Sequence, residues 1–526
     1  MTIHLAEQKR LKLQSEIDSK KSQLERNKLG QFATPPHLAA DIVKYIVDKK
    51  LLGSAPIHFL DPAIGTGAFY YALVSQVKSG KIASARGIEI DKEVANTADR
   101  LWSGFGLNIE NDDFFNIRSP TDEQLLPNLI LTNPPYVRHH HIPVDKKEEL
   151  QAIIKTRLGY QVNGLSGLYC YFLLHSHNWL RNQGFGVWLI PSEFMDVNYG
   201  EIIKKYLSSK VTLKHIHRFD PNDVQFNDAL VSSSIVIYQK VKPNKSDKVQ
   251  FTYGGNITDP THTEFYPIIQ LTKLLKWSQL PRINGVELIE NNNTIQLSQF
   301  FRIQRGIATG ANSFFIITRD KAKAIGIPDR FVKSILPGPK KLNVDVIEPD
   351  KKKFPQLDTQ LVVIDCNISE SNIQSDYPGF AAYLNIGHSN KIVNRYLLTK
   401  RDIWYHQEQR DPAPFLCTYM GRNDKPQPFR FIWNRSNAIA TNVYLMLYPK
   451  GILLEALTKM PHLYPAIFKF LKELKMTDMI GNGRVYGGGL YKIEPKELGR
   501  LSASGLLDIL TANNINIQTQ KKITGW

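Results

Sequence analysis

The sequence predicts an α/β protein: a doubly wound sheet in the N-terminal half, followed by a mixed α+β region. Three observations predict this. Apolar runs of strand length alternate with helical patterns over roughly 200 residues. Each run ends in a glycine-rich or polar segment. Beyond about residue 250 the periodicity weakens into short, mixed strands and helices.

Residues 1–27 read as a charged helix with weak apolar spacing (Leu5, Leu13, Ile17, Leu24), either an arm or a packing helix. Thr34 before Pro35 reads as an N-cap with proline at the first helical position, opening a helix from His37 to Lys50. Ile57–Leu60 is the first strand, followed by Asp61-Pro62-Ala63-Ile64-Gly65-Thr66-Gly67 and a helix to about Lys78. Ala85–Ile90 is the second, and Asn111–Phe115 ends a short third. Leu129–Thr132 is the fourth, running into Asn133-Pro134-Pro135-Tyr136. Ser166–Arg181 is an apolar helix, Phe185–Ile190 the fifth strand, and Val211–Phe219 and Ser234–Val241 two more. Lys242–Lys248 is a polar linker candidate, which sets domains at 28–242 and 250–526.

The chain has 526 residues and a formal charge of +17. Residues 1–250 hold 31 Lys and Arg against 26 Asp and Glu; residues 251–526 hold 35 against 23. The C-terminal half therefore carries most of the excess, as suits a polyanion such as nucleic acid, although a merely soluble basic protein has the same signature. No apolar run is long enough to span a bilayer. The first 28 residues have no apolar core or cleavage site, so they do not read as a secretory signal. Three scattered cysteines make neither a disulfide framework nor a zinc pattern, and a cytoplasmic location is expected.

In doubly wound sheets ligands sit beyond the C-terminal strand ends. Asp61–Gly67, Glu89, Asp113 and Asn133–Tyr136 all fall there, which points to one composite site. The glycines at 65 and 67 allow a tight turn and close approach of a ligand to backbone. The third glycine of the dinucleotide fingerprint is missing. Glu89, 22 residues after Gly67, can accept both ribose hydroxyls. Asp113-Phe114 can bind an adenine amine and cover its ring. Each acid alone is a common loop residue; three at successive strand ends fit a mononucleoside ligand such as S-adenosylmethionine better than NAD.

Asn-Pro-Pro-Tyr suits methyl transfer to a conjugated nitrogen. The Asn133 side-chain oxygen and the Pro134 carbonyl can each accept one N–H of an amino group. Both hydrogens are then fixed and the lone pair is aimed. Pro134 and Pro135 preorganise that geometry, and Tyr136 offers a face for a planar substrate.

These motifs, in this order, resemble those of the amino-methylating DNA methyltransferases, and in particular the γ group of N6-adenine methyltransferases of restriction–modification systems, the TaqI-like proteins. The resemblance is specific over residues 28–240. It continues more loosely through Arg305–Phe315, Trp404–Arg422, Trp433–Tyr448 and Arg484–Leu498. It implies a Rossmann-like, S-adenosylmethionine-dependent domain and a DNA-recognition region. It places Thr34 at the methionine carboxylate, and Asp61, Ala63, Gly65 and Gly67 along the methionine end. Glu89 would hold the ribose, Asp113 and Phe114 the adenine, and Asn133 and Pro134 the target amine. Tyr136 would stack on an extruded base, with Phe226 packing its other side or edge. The expected activity is methylation of adenine N6 in a short duplex sequence, which protects that site from a separate restriction endonuclease. A monomer is the simplest state.

The same four residues serve protein glutamine methyltransferases, so a protein or RNA acceptor stays an alternative, as does a DNA-binding module with a degenerate methylase domain. Length and charge favour DNA. Candidate DNA contacts are Arg138, Arg302, Arg305, Asn312, Lys340, Lys341, Arg422, Arg435 and Arg484, with Gly306 and Gly310 letting backbone approach phosphate. His139-His140-His141 cannot converge on one ion, so no metal is expected. No nuclease constellation is found at plausible spacing.

Overall fold

Residues 57–61 begin the central sheet because alternate side chains find apolar partners on both of its faces. The computed structural model of the chain describes all residues except 1, 221–222, 224, 226–231, 275, 282–294, 423–426, 487–488 and 516–526. It falls into two units, Met1–Glu290 with Tyr486–Gly488, and Asn291–Val485 with Gly489–Trp526.

The first unit contains helices α1 (Ile3–Ser19), α2 (Gln23–Leu29) and α3 (Pro36–Asp48), strand β1 (Ile57–Asp61), α4 (Ala68–Gln76), β2 (Ile82–Ile88), α5 (Lys92–Trp102), β3 (Leu107–Glu110) and β4 (Leu129–Thr132). It continues with α6 (Val144–Leu158), α7 (Leu168–His175), β5 (Phe185–Pro191), α8 (Glu201–Ser209), β6 (Thr212–Arg218), β7 (Ser233–Gln239), β8 (Lys248–Gly255) and β9 (Pro260–Pro267). The nine strands form one sheet in the order β3-β2-β1-β4-β5-β7-β6-β8-β9. The pairs from β3 to β5 are parallel, and β7 is antiparallel to both β5 and β6. Side chains alternate between two cores: Leu129, Leu131, Val187, Leu189, Ile235 and Ile237 on one face, and Ile130, Trp188, Ile190, Val236 and Tyr238 on the other. Helix α5 shows the matching helical logic. Asp91 caps it by accepting from the Glu93 and Val94 amides, and Val94, Ala95, Ala98, Leu101 and Trp102 form its buried stripe.

Three expectations change and one alternative is decided. Of the two readings of residues 1–27 the packing helix holds, since α1 packs on α4 and α5. Lys242–Lys248 is not an interdomain linker. It joins β7 to β8 within the sheet, where β8 pairs in parallel with β6 and buries Val249 and Phe251. The sheet thus absorbs residues to Pro267, and the units divide near residue 290. Thr34 does not cap α3. Pro35 is the N-cap and Pro36 the first helical residue, which leaves the Thr34 hydroxyl for another partner. The helix expected over 166–181 is only two turns, Leu168–His175, passing into a 3-10 turn at Ser176–Asn178.

The second unit is mixed α+β. One five-stranded sheet has the spatial order Phe301–Arg305, Tyr444–Pro449, Phe415–Thr418, Phe431–Asn434, Val346–Ile347, and a three-stranded sheet has the order Ile316–Thr318, Leu361–Ile364, Val332–Ile335. Two apolar cores serve them, and Cys366 and Cys417 are buried there. Among the described residues no helix is long and apolar enough to cross a membrane.

Candidate active site

The loop after β1 turns through two left-handed glycines, Gly65 (φ 55°) and Gly67 (φ 93°). They are required for different reasons. A Cβ on Gly67 would lie 2.4 Å from the indole nitrogen of Trp102, whereas a Cβ on Gly65 would meet nothing within 4 Å. The Gly65 backbone thus faces open space, as a ligand cradle requires. Asp61 is buried and accepts from the Ala63 amide at 3.0 Å. Burial, only partly offset by hydrogen bonds, pushes its carboxyl up to about 7. Glu89, just past β2, takes the Gly65 N–H on one oxygen (3.0 Å) and the Asp91 N–H on the other (2.9 Å). Burial holds this carboxyl above its usual range, against the two donors that favour the ionised form. Glu89 therefore ties the first loop to the second and still has lone pairs for ribose hydroxyls.

Beyond β3, Asp113 caps its own turn through the Phe115 amide and pairs with Lys146 at 3.0 Å. Phe114 differs from expectation. Its ring is only 2% exposed, stacked on Phe172 and edge-on to His175, so it mainly belongs to the core below the site.

The turn after β4 is pinned from three sides. The Tyr136 amide donates to the Gly30 carbonyl at 3.0 Å. The Leu168 amide at the start of α7 donates to the Val137 carbonyl at 3.0 Å. The Tyr136 hydroxyl donates to the Leu189 carbonyl of β5 at 3.0 Å. Tyr136 is therefore not a projecting side chain: it is 6% exposed, packs against Phe32, and burial holds its hydroxyl far above its usual pKa. Gly30 is needed for this clamp, since a Cβ there would sit 2.4 Å from the Val137 amide.

Asn133 is the most informative residue. Its Nδ2 donates to the Phe32 carbonyl (3.0 Å) and the Thr34 hydroxyl (3.1 Å). A backbone carbonyl cannot donate, so the amide has one orientation. Its Oδ1 is buried and, among the described residues, has no hydrogen-bond partner. An orphaned buried acceptor is expensive to maintain and marks a place where a ligand donor belongs.

The structure thus brings together Thr34, Asp61, Ala63, Gly65, Gly67, Glu89, Asp113 and Asn133–Tyr136 within the first unit. Phe226 lies outside the described residues. Sequence reading gave a helix at the N-terminus but missed its tie to this site: Arg10 donates to the Thr66 hydroxyl, which donates in turn to Gln14.

The basic candidates separate into two groups. One nitrogen of Arg305 donates to both Glu494 oxygens (2.7 and 2.6 Å), one nitrogen of Arg435 to both Glu348 oxygens (2.6 Å), and Arg484 pairs with the buried Glu497 (3.0 Å). These charges are already balanced within the protein. Arg138, Arg302, Lys340, Lys341 and Arg422 are exposed, although Arg302 lies over the Tyr448 ring at 4.4 Å. Asn312 is exposed and accepts from the Thr309 hydroxyl. Gly306 serves packing: a Cβ there would meet the Ala440 carbonyl at 2.2 Å. His139–His141 form one 3-10 turn after Arg138, and among the described residues no group of His, Cys, Asp or Glu could hold a metal ion.

Comparison with known proteins agrees in both halves. Residues 87–225 match the family model of the Eco57I restriction-modification methylase, and residues 278–523 match that of the C-terminal domain of the type II methyltransferase M.Eco57I. The chain is 30% identical over 508 residues to the type II methyltransferase M.AccI of Acinetobacter calcoaceticus, covering 93% of this chain and 88% of that relative. It is 25% identical to M.XamI of Xanthomonas campestris pv. amaranthicola, covering 91% and 85%. In fold it is similar to the type IIL restriction-modification enzyme MmeI, solved in complex with DNA, at a TM-score of 0.56 and 14% identity over 92% of this chain and 68% of that one.

Proposed function

The chain belongs to the type II methyltransferases of restriction–modification systems, and from that premise we propose that it methylates adenine N6 in a short duplex sequence, on a base extruded from the helix. DNA is its substrate class and S-adenosylmethionine its methyl donor. The residues present suit that donor: the open cradle beside Gly65, the Glu89 carboxylate and the buried Asp61. When bound, it supplies an electrophilic methyl group carried on a sulfonium sulfur.

The observation that carries the proposal is the orphaned Asn133 Oδ1 above an anchored Nδ2. In our reading Oδ1 accepts one N–H of the exocyclic amine and the Pro134 carbonyl accepts the other. With both hydrogens held, the nitrogen lone pair turns out of ring conjugation toward the methyl group. The anchoring of Nδ2 means that this geometry is built before substrate arrives, which is the condition for electrostatic preorganisation. Extrusion of the base costs roughly a few kcal/mol, offset by pocket hydrogen bonds and by stacking. The Tyr136 ring, fixed at its hydroxyl end, would present its small remaining face to the base. The exposed cations Arg138, Lys340, Lys341 and Arg422 are the candidates for binding phosphate. In this reading the product is a site refused by a partner restriction endonuclease.

The test is incubation with tritiated S-adenosylmethionine and unmethylated DNA, digestion to nucleosides, and Asn133→Ala in parallel. Label in N6-methyladenine that disappears in the variant is the expected result. Label in N4-methylcytosine keeps the mechanism and overturns the base. Label only in protein or RNA overturns the substrate.

A further inference from the structure

Helix α1 buries four residues, Ala6, Glu7, Arg10 and Ile17, and two of these form an ion pair. Arg10 is 1% and Glu7 6% exposed. The guanidinium is bidentate to the Glu7 carboxylate, at 2.6 Å from Nε and 2.7 Å from Nη2. Its remaining terminal nitrogen donates to the Thr66 hydroxyl at 3.2 Å. That hydroxyl donates onward to Gln14 Oε1 at 2.7 Å, and Gln14 is held in turn by Asp18. From the other side the Trp102 indole donates to the Thr66 carbonyl at 2.7 Å. Thr66 is therefore gripped at both ends, between the two glycines whose backbone forms the cofactor cradle. Further along, Lys21 bridges Asp91 (3.1 Å) and Gln31 (2.9 Å), and the Asp91 amide in turn donates to Glu89.

A buried ion pair is a poor device for stability, because desolvation offsets most of its Coulombic gain and a well-packed apolar pair often does as well. Its advantage is direction. A guanidinium locked by a bidentate carboxylate can aim its third side at one atom only, and here that atom belongs to the cradle loop. The Gly65 end of that loop is held by the Glu89 carboxylate through its N–H and has open space where a side chain would lie.

We propose that α1 is a positioning element for the cofactor site: the Glu7–Arg10 pair and Gln14 hold Thr66, and with it the Gly65–Gly67 backbone, in the form that binds S-adenosylmethionine. Arg10, Glu7 and Gln14 touch neither substrate nor cofactor; they act through Thr66. The inference rests on the reading of this loop as the cofactor cradle.

The test is isothermal titration of the full-length protein with S-adenosylmethionine, alongside steady-state kinetics and gel-shift measurement of DNA affinity without cofactor. Arg10→Met and Gln14→Leu are each expected to weaken cofactor binding about five- to tenfold. Their loss should lie in KM for the cofactor rather than in kcat, with DNA affinity unchanged. Arg10→Lys, which keeps a charge for Glu7 but loses the fork, should fall between. Thr66→Val removes only the hydroxyl that both α1 side chains hold, and it decides the matter where Arg10→Met does not fold; it too should weaken cofactor binding at least fivefold. A folded Arg10→Met or a Thr66→Val that binds cofactor within twofold of the parent overturns the inference. Equal losses of DNA and cofactor affinity overturn it in favour of general destabilisation. Glu89→Ala separates the two readings: if it binds cofactor normally, the cradle assignment itself fails, whereas normal binding by the α1 variants alone removes only the inference.

Discussion

Replacing Asn133 by Asp tests the site at a single atom. The substitution is isosteric, but it puts a carboxylate oxygen where Nδ2 now stands, 3.0 Å from the Phe32 carbonyl and 3.1 Å from the Thr34 hydroxyl. The hydroxyl can turn to donate; the carbonyl cannot. The ionised side chain therefore loses a hydrogen bond and faces an acceptor in a part-buried position. Leaving such a group unsatisfied costs about 1–3 kcal/mol, more when it is charged. At 1.36 kcal/mol per unit, about 2.7 kcal/mol raises the new carboxyl from the usual 3.9 to about 6. Protonation restores the parent pattern, since the acid O–H donates to Phe32 and the other oxygen remains an acceptor for the amine. The activity of Asn133→Asp should then track the protonated fraction, about 1% at pH 8 and about a quarter at pH 6.5 for a pKa near 6. The rate with saturating cofactor and DNA should rise about 20-fold between those pH values, as measured by methyl incorporation in a three-component buffer of constant ionic strength. The parent, with an amide that does not titrate, should show no such rise. A residual rate in the variant that is flat with pH, or full activity at pH 8, would refute the claim that the Phe32 carbonyl dictates the orientation of the catalytic side chain.

Other outcomes follow from the same geometry. Gly30→Ala puts a Cβ 2.4 Å from the Val137 amide at a φ of 64°, so it should cost about 3 kcal/mol or more, combining left-handed strain with a backbone clash; denaturant titration reads it. His175, His215 and His217 are buried and held neutral, with burial lowering each to about 3. Their folded pKa lies below the unfolded 6.5, so the unfolded chain binds more protons. The stability present above pH 6.5 should decline as pH falls through the window toward 3, on the order of 1 kcal/mol per histidine by pH 5.5. Denaturant midpoints at pH 7.5 and 5.5 measure this, and His215→Gln should reduce the difference. Lys340→Ala with Lys341→Ala should lower the slope of log K against log salt by about 0.9 for each phosphate no longer neutralised. Arg435→Ala, which releases Glu348 from an existing pair, should leave that slope nearly unchanged.

The strands from Ile57 to Gln239, the cradle glycines and the Asn-Pro-Pro-Tyr turn were legible in the sequence, because each is set by neighbours within a few residues. Side-chain alternation marks a buried strand, a left-handed turn demands glycine, and two prolines end a strand wherever they occur. Composition showed the basic excess but not which cations are free: Glu494 lies 189 residues from Arg305 and Glu348 lies 87 from Arg435, and no local pattern reports such a pairing. The burial of Tyr136 and Phe114 and the continuation of the sheet through β8 and β9 were equally hidden, since each depends on partners brought together by the chain's path. So was the state of Asn133. Its identity was evident from the motif. Only the fold, by carrying the Phe32 carbonyl and the Thr34 hydroxyl across about a hundred residues of chain to its Nδ2, decided that Oδ1 is the atom left without a partner.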